Sequence, residues 1–199
     1  MRLETYSGFL TDELIIEAIK AEKIKIEPTF DLSNVDAKDD TTWSSELKKH
    51  LRPSAFVFTI GPSFSVISPT VTTLDANKAI EPYLVKGKLG EEGIILLPDQ
   101  CIHGETTEKI GMDNDILGFI DGLKLNAEKF ITVHTTSSTW NPGDGYEKPY
   151  AILLEMKNDG PKPVLLKEGY AICKMSFFKF DRPVVRGYTK VRFAKGIDK

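Results

Sequence analysis

Across 199 residues this chain has only two cysteines, three histidines and two tryptophans, and no apolar run of membrane-spanning length. Cys101 and Cys173 stand far apart in strand-like apolar surroundings. Two such cysteines make no disulfide framework, so both are expected as reduced, buried thiols of a cytoplasmic protein. Apolar stretches fall well short of the roughly 20 residues that a membrane helix needs. The opening M-R-L-E-T-Y-S-G-F-L-T-D-E lacks the apolar core of a secretory signal. Neither charge sign dominates, with 26 Lys and Arg against 29 Asp and Glu and a net charge of −3. That balance offers nothing to attract nucleic acid, although a local cluster of donors can still hold a nucleotide.

Several catalytic signatures are missing too. The H-x-E and P-C-x-x-C pair of zinc deaminases is absent, and His50, His103 and His134 are not in ligand spacing, so no zinc site is expected. No G-x-x-x-x-G-K-[ST] phosphate loop occurs. The T-T-S-S-T run at 135–139 has no nucleophile elbow around it and reads as a hydrogen-bonding loop.

What is present is ordinary for one globular domain: 41% hydrophobic and 28% charged residues. The whole chain, 1–199, reads as a single unit, with 29–50 as a polar surface insertion and 180–199 as a C-terminal tail. Residues 11–22 predict a short helix. Thr11 suits its cap, Asp12 and Glu13 suit the positive end of the dipole, and Leu14, Ile15, Ala18 and Ile19 form an apolar face. I-K-I-E-P at 24–28 alternates like a strand and stops at proline. A helical turn is expected between Trp43 and Lys49. From Leu51 onward the chain is a series of short β-branched and aromatic runs. They include A-F-V-F-T-I at 55–60, F-S-V-I-S at 64–68, I-I-L-L at 94–97 and C-I-H-G-E-T-T-E at 101–108. Asn158-Asp159-Gly160 and Glu168-Gly169 supply turns between later runs. Many short strands with turns between them imply an antiparallel barrel or jelly roll.

The strand order resembles the dCTP deaminase and dUTPase superfamily, and the deaminases most of all. L-R-P-S-A-F-V-F-T-I-G at 51–61 is similar to that family's L-Q-P-A-S-Y-D-L-R-L-G, with Val57 in place of the aspartate. L-L-P-D-Q-C-I-H-G-E-T-T-E-K-I at 96–110 resembles L-x-P-G-E-x-x-L-x-x-T-x-E-x-I. N-D-G-P-K-P-V-L-L-K-E-G-Y-A-I at 158–172 resembles N-x-G-x-x-P-x-x-L-x-P-G-x-x-I. The resemblance implies a mainly β, distorted jelly roll of the dUTPase-like type with a short N-terminal helix. It also implies a homotrimer with sites between subunits and a pyrimidine deoxynucleotide substrate. Mg²⁺ would enter through the nucleotide phosphates, and no zinc is implied.

Position by position, Glu155 in L-L-E matches the family's catalytic glutamate. Hydrolytic deamination needs a group that moves a proton from water to the ring nitrogen and leaving amine. A carboxyl in an apolar strand suits that task because desolvation favours its neutral form, and Glu155 is expected to point inward at the site. Lys124, Thr136, Ser137, Asn141 and Tyr188 match substrate-binding positions, with Lys190, Arg192 and Lys195 as weaker tail candidates. One segment departs from the pattern. Where the family has G-R-S-S-x-x-R, residues 122–128 read G-L-K-L-N-A-E, and one ammonium is no equivalent of two planar guanidinium forks. Leu123 and Leu125 read as one face of a strand there, with Lys124 turned to solvent. Asn141 replaces the carboxylate that dUTPase chemistry needs, and an amide accepts no proton. Two readings remain open: a deaminase-like hydrolase, including one for a less phosphorylated nucleotide, or a non-catalytic homologue that binds another small molecule or a protein. Trp140 and His134 are expected to be packing residues.

Overall fold

The computed structural model describes residues 3–134 and 137–188. Its framework is β, assembled around one long strand. The elements in chain order open with β1 (Gly8–Phe9), α1 (Asp12–Lys20), β2 (Ile24–Glu27), α2 (Ser45–His50) and β3 (Leu51–Arg52). Next come β4 (Ala55–Ile67), β5 (Leu84–Lys88), β6 (Ile94–Leu96), β7 (Cys101–Met112) and β8 (Ile116–Gly122). The chain continues with α3 (Lys124–Ala127), β9 (Ile131–His134), β10 (Thr139–Trp140), β11 (Tyr150–Asn158), β12 (Val164–Leu166) and β13 (Ala171–Lys179). The main sheet runs β10-β8-β13-β4-β7-β11-β9, with β1, β2, β3 and β5 joined to its sides and β12 and β6 forming a separate pair. All of these pairings are antiparallel. This is the distorted jelly roll that the sequence implies.

Strand β4 joins the two halves. Residues Phe56–Thr59 pair with β13, while Ile60–Ile67 pair with β7 and β5. The sequence places a break at Gly61-Pro62, but the strand runs through it with a shift of register. Gly61 permits this: a Cβ there would lie 3.0 Å from the Glu105 carbonyl oxygen. The core between the faces holds Phe56, Phe58, Ile60, Ile110, Leu154, Met175 and Phe177, all fully buried.

Helix α1 starts as its sequence dictates, with the Thr11 side chain accepting from the Leu14 amide. Its buried face is Leu14, Ile15, Ile16 and Ala18, with Ile19 only half-buried. The 29–50 segment is more than a surface excursion. Val35, Leu47 and His50 are buried, and the His50 ring stacks on Phe56 at 5.2 Å. Polar residues cover this segment outside, yet its few apolar ones are enough to tie it to β4. Residues 122–128 also differ from expectation. They form the helical turn α3 rather than a strand, which suits the good helix formers Lys124, Leu125, Ala127 and Glu128. The thiols differ from each other: Cys173 is buried and Cys101 is exposed, because Cys101 sits on the outer side of β7 whereas Cys173 faces the core.

An ionic network closes the end of the sheet. Lys179, at the end of β13, lies 3.3 Å from Asp115, and both are almost fully buried. Lys23 reaches Asp115 at 2.8 Å and Asp113 at 3.0 Å. Burial alone would lower the Lys23 ammonium, but hydrogen bonds from Asp115 and Asp113, with their charge, outweigh it and raise it. Removing one member of a buried pair leaves the other uncompensated, at a cost of about 3–5 kcal/mol. Because Lys23 still faces Asp115, Lys179→Met is expected to lower stability by about 2–4 kcal/mol, read by urea denaturation; no change would dismiss the network. The raised Lys23 value sets the sign with pH: its contribution is complete below the ordinary value of 10.5. It is lost as pH rises through the folded value, so native protein should lose more stability at alkaline pH than Lys23→Met does.

Candidate functional site

Strand alternation decides where Glu155 points. Along β11, Ile152, Leu154, Met156 and Asn158 are buried, while Leu153 is 66% exposed and Glu155 is half-buried between them. Glu155 therefore lies on the face away from the core, which corrects the inward orientation expected from the sequence. Side chains alternate across a sheet, so neighbours of a core-facing series must face the other way.

That outer face is where polar groups gather. Glu155 pairs with His103 on β7, His103 pairs with Ser65 on β4, and Ser65 pairs with Lys86 on β5. Directly paired residues share a face, with Cβ atoms about 4.5–5.5 Å apart. A lateral row, Glu155–His103–Ser65–Lys86, thus crosses four strands. A second row lies beside it: Leu153 opposite Glu105, and Ser63 opposite Lys88. Cys101, opposite Lys157, marks the other side. Partial burial, followed by the Glu155 carboxylate, pushes the Cys101 thiol up.

The rows floor a cavity of about 680 Å³ that Ile80, Glu81 and Leu84 border from the side. A small-molecule site typically occupies roughly 300–1,000 Å³. His103, Ser65 and Lys86 line the cavity, and Glu155 stands next to it as the partner of His103. A second cavity, of about 570 Å³, has Glu108 in its wall. Both Glu108 oxygens accept hydrogen bonds at 2.7 Å, from the Thr59 amide and hydroxyl, so this carboxylate is committed to structure.

The other sequence-matched positions lie elsewhere. Asn141 and Tyr188 come together at one corner: the Tyr188 amide donates to the Pro142 carbonyl at 2.8 Å, and the Val184 amide donates to Asn114 at 2.8 Å. A Cβ on Gly187 would lie 2.0 Å from the Asn114 side-chain oxygen, so only glycine lets the tail dock there. Ser137 is exposed and donates to the Thr139 carbonyl. Thr136 lies outside the described residues, as do Lys190, Arg192 and Lys195. Lys124 is on α3, with its side chain 90% exposed and 3.5 Å from Glu128. It borders neither cavity. Trp140 is a core residue as expected, with its ring 4.7 Å from Tyr150 and its Nε1 donating to the Asp144 carbonyl.

Sequence reasoning missed Lys86 and Lys88 altogether and weighed His103 only as a zinc ligand. Alternation in S-F-S at 63–65 puts Ser63 and Ser65 on one face, but their cross-strand partners follow only from register. Among the described residues, no group of three or more His, Cys, Asp or Glu side chains could hold a metal ion. No helix among the described residues is long and apolar enough to cross a membrane.

Known proteins share this architecture and sequence pattern. A family profile described as dCTP deaminase-like matches residues 9–180. A dCTP deaminase of Rhodospirillum rubrum is 31% identical over 146 residues, 68% of this chain and 72% of that protein. One from Shewanella amazonensis is 28% identical over 94% of this chain and 91% of its own length. A dUMP-forming dCTP deaminase of Dictyoglomus turgidum is 29% identical over 72% and 73%. Among solved structures, the 2′-deoxycytidine 5′-triphosphate deaminase of Agrobacterium tumefaciens superposes with a TM-score of 0.61 at 14% identity. That match takes in 87% of this chain and 48% of the other, so this chain spans about half of that longer protein and the likeness speaks for the fold. With the profile covering nearly every strand, the chain belongs to the dCTP deaminase-like family.

Proposed function

We propose that this protein hydrolytically deaminates a deoxycytidine nucleotide, with Glu155 carrying the proton. Water adds to C4 of the cytosine ring, and Glu155 takes the water proton and passes it to the ring nitrogen. Collapse of the adduct then expels the amine as ammonia, leaving a uracil nucleotide. The observation that carries this reading is the half-buried Glu155 beside His103 at the edge of a ligand-sized cavity, at the position matching the family's catalytic glutamate. Three copies form the working unit in this proposal, with each site completed between chains. The Asn141–Tyr188 corner and the Glu155 face are separate within one chain, and a trimer gives substrate-binding roles to Ser137, Asn141 and Tyr188, and to Thr136. Lys124 is the weakest of these, since Glu128 already neutralises it. Any Mg²⁺ arrives on the nucleotide phosphates. The same α3 segment favours a second reading, a non-catalytic homologue, because Leu123, Leu125 and Glu128 supply no cation where the family has arginines.

Ammonia release from deoxycytidine mono-, di- and triphosphate, with dUTP cleavage followed in parallel, tests this. Glu155→Gln should lower turnover at least about 100-fold, the lower range for general acid–base catalysis. Native protein that never exceeds that variant would establish the non-catalytic reading. The same substitution removes the negative charge near Cys101, so its thiol pKa should fall. Labelling of Cys101 by a thiol reagent at neutral pH should then speed up, while Cys173 stays protected; an unchanged rate would mean Glu155 does not face that thiol. Light scattering at micromolar concentration is expected to give three times the chain mass, and a monomer would refute the shared site.

A further inference from the structure

We propose that the cavity over β4, β5 and β7 binds a nucleoside monophosphate, with Lys86 and Lys88 holding its phosphate in place of the arginines that α3 lacks. The inference rests on the deaminase reading for the base, and on separate geometry for the phosphate. Ser65 pairs with Lys86 and Ser63 with Lys88. These two hydroxyl–ammonium pairs are two residues apart on one face, a repeat of ~7 Å. All four residues line the cavity. Neither lysine makes an ion pair among the described residues, whereas Lys157, two residues beyond Glu155 on β11, pairs with Asp99 and Asp159. Two flexible ammoniums with two hydroxyls between them suit a small tetrahedral anion.

The row also sets a distance. Lys86 and Glu155 are three strand spacings apart, ~14 Å between backbones. Side chains stand roughly perpendicular to a sheet, so this separation is the span offered to a nucleotide between its base and its 5′-phosphate. Leu153, beside Glu155 on β11, and Leu84, beside Lys86 on β5, provide apolar surface at the two ends of that span.

Charge selects the monophosphate. Glu81 and Glu105 border the same cavity as the two lysines. A phosphate monoester of charge near −2 is balanced by two ammoniums. A triphosphate brings further negative charge into a wall that already carries two carboxylates, and like charges there repel.

Calorimetric titration of the full chain carrying Glu155→Gln, with dCMP, dCTP and deoxycytidine, tests the site without turnover. Adding Lys86→Gln and Lys88→Gln should weaken dCMP roughly tenfold or more, the loss expected for charge-assisted contacts. Deoxycytidine binding should not change, and Lys86→Arg with Lys88→Arg should retain dCMP. Lys48→Gln, on α2, controls for net charge. Thermal melts of the variants should match their parent, since both lysines are exposed and unpaired among the described residues. The proposal is overturned if the glutamine variant binds dCMP like its parent, if dCTP binds tenfold tighter than dCMP, or if none of the three ligands binds. Lysine-dependent dCMP binding without ammonia release from the native chain would reject the role of Glu155 and leave the phosphate site standing.

Discussion

Strand β4 changes partners along its length, and both the core and the outer face depend on that change. Its first half is held by β13 and buried on both sides, while its second half is half-exposed between β5 and β7. The crossing occurs where Gly61 lies against the backbone of Glu105 and Thr106, with only 3.0–3.1 Å left for a Cβ. A larger residue at Gly61 would need the backbone of β7 to give way by a few tenths of an ångström, beside the His103 register with Ser65. One glycine therefore links the packing of the interior to the alignment of the polar row.

The chemistry of this row differs from that of the buried ionic groups elsewhere. Lys179 with Asp115, and Glu108 with Thr59, are enclosed and paired, so they hold elements together, although one Asp115 oxygen, Oδ1, has no hydrogen-bond partner among the described residues. His103, Ser65 and Lys86 line a cavity and Glu155 stands beside it, all on rigid strands rather than on loops. Strand positions fix side chains more narrowly than loop positions do, which favours a site that must align a proton carrier with a ring. The exposed α3 turn makes the opposite case. Its lysine lies beside Glu128 and Leu125 is exposed, so this turn presents no cation without a carboxylate partner.

Much of the fold was legible from local pattern. The Thr11 cap, the I-K-I-E strand before Pro28 and the Asn158-Asp159-Gly160 turn follow from interactions within a few residues, and the structure places each as expected. The match of L-L-E also brought Glu155 forward. Its orientation was not legible, because an apolar neighbourhood in sequence does not say which face of the strand is covered. Residues 122–128 show a related limit. Their alternating leucines resembled a strand, yet helix formers and the Lys124–Glu128 pair gave a turn of helix. Cys101 was misplaced for the same reason as Glu155, being one residue away from the buried Ile102.

By itself, then, the sequence determined the strand-rich composition, the helix termini and the family, and it brought forward Glu155 as the carboxylate to propose for proton transfer. These depend on short-range spacing and residue type. Only the tertiary structure decided that Lys86, Ser65, His103 and Glu155 form one row. Period-two alternation states which residues of a strand share a face, but it does not state which strand lies alongside or in what register. That is settled by long-range packing around β4, where residues far apart in sequence, such as Ser65 and His103 or His103 and Glu155, come to stand side by side.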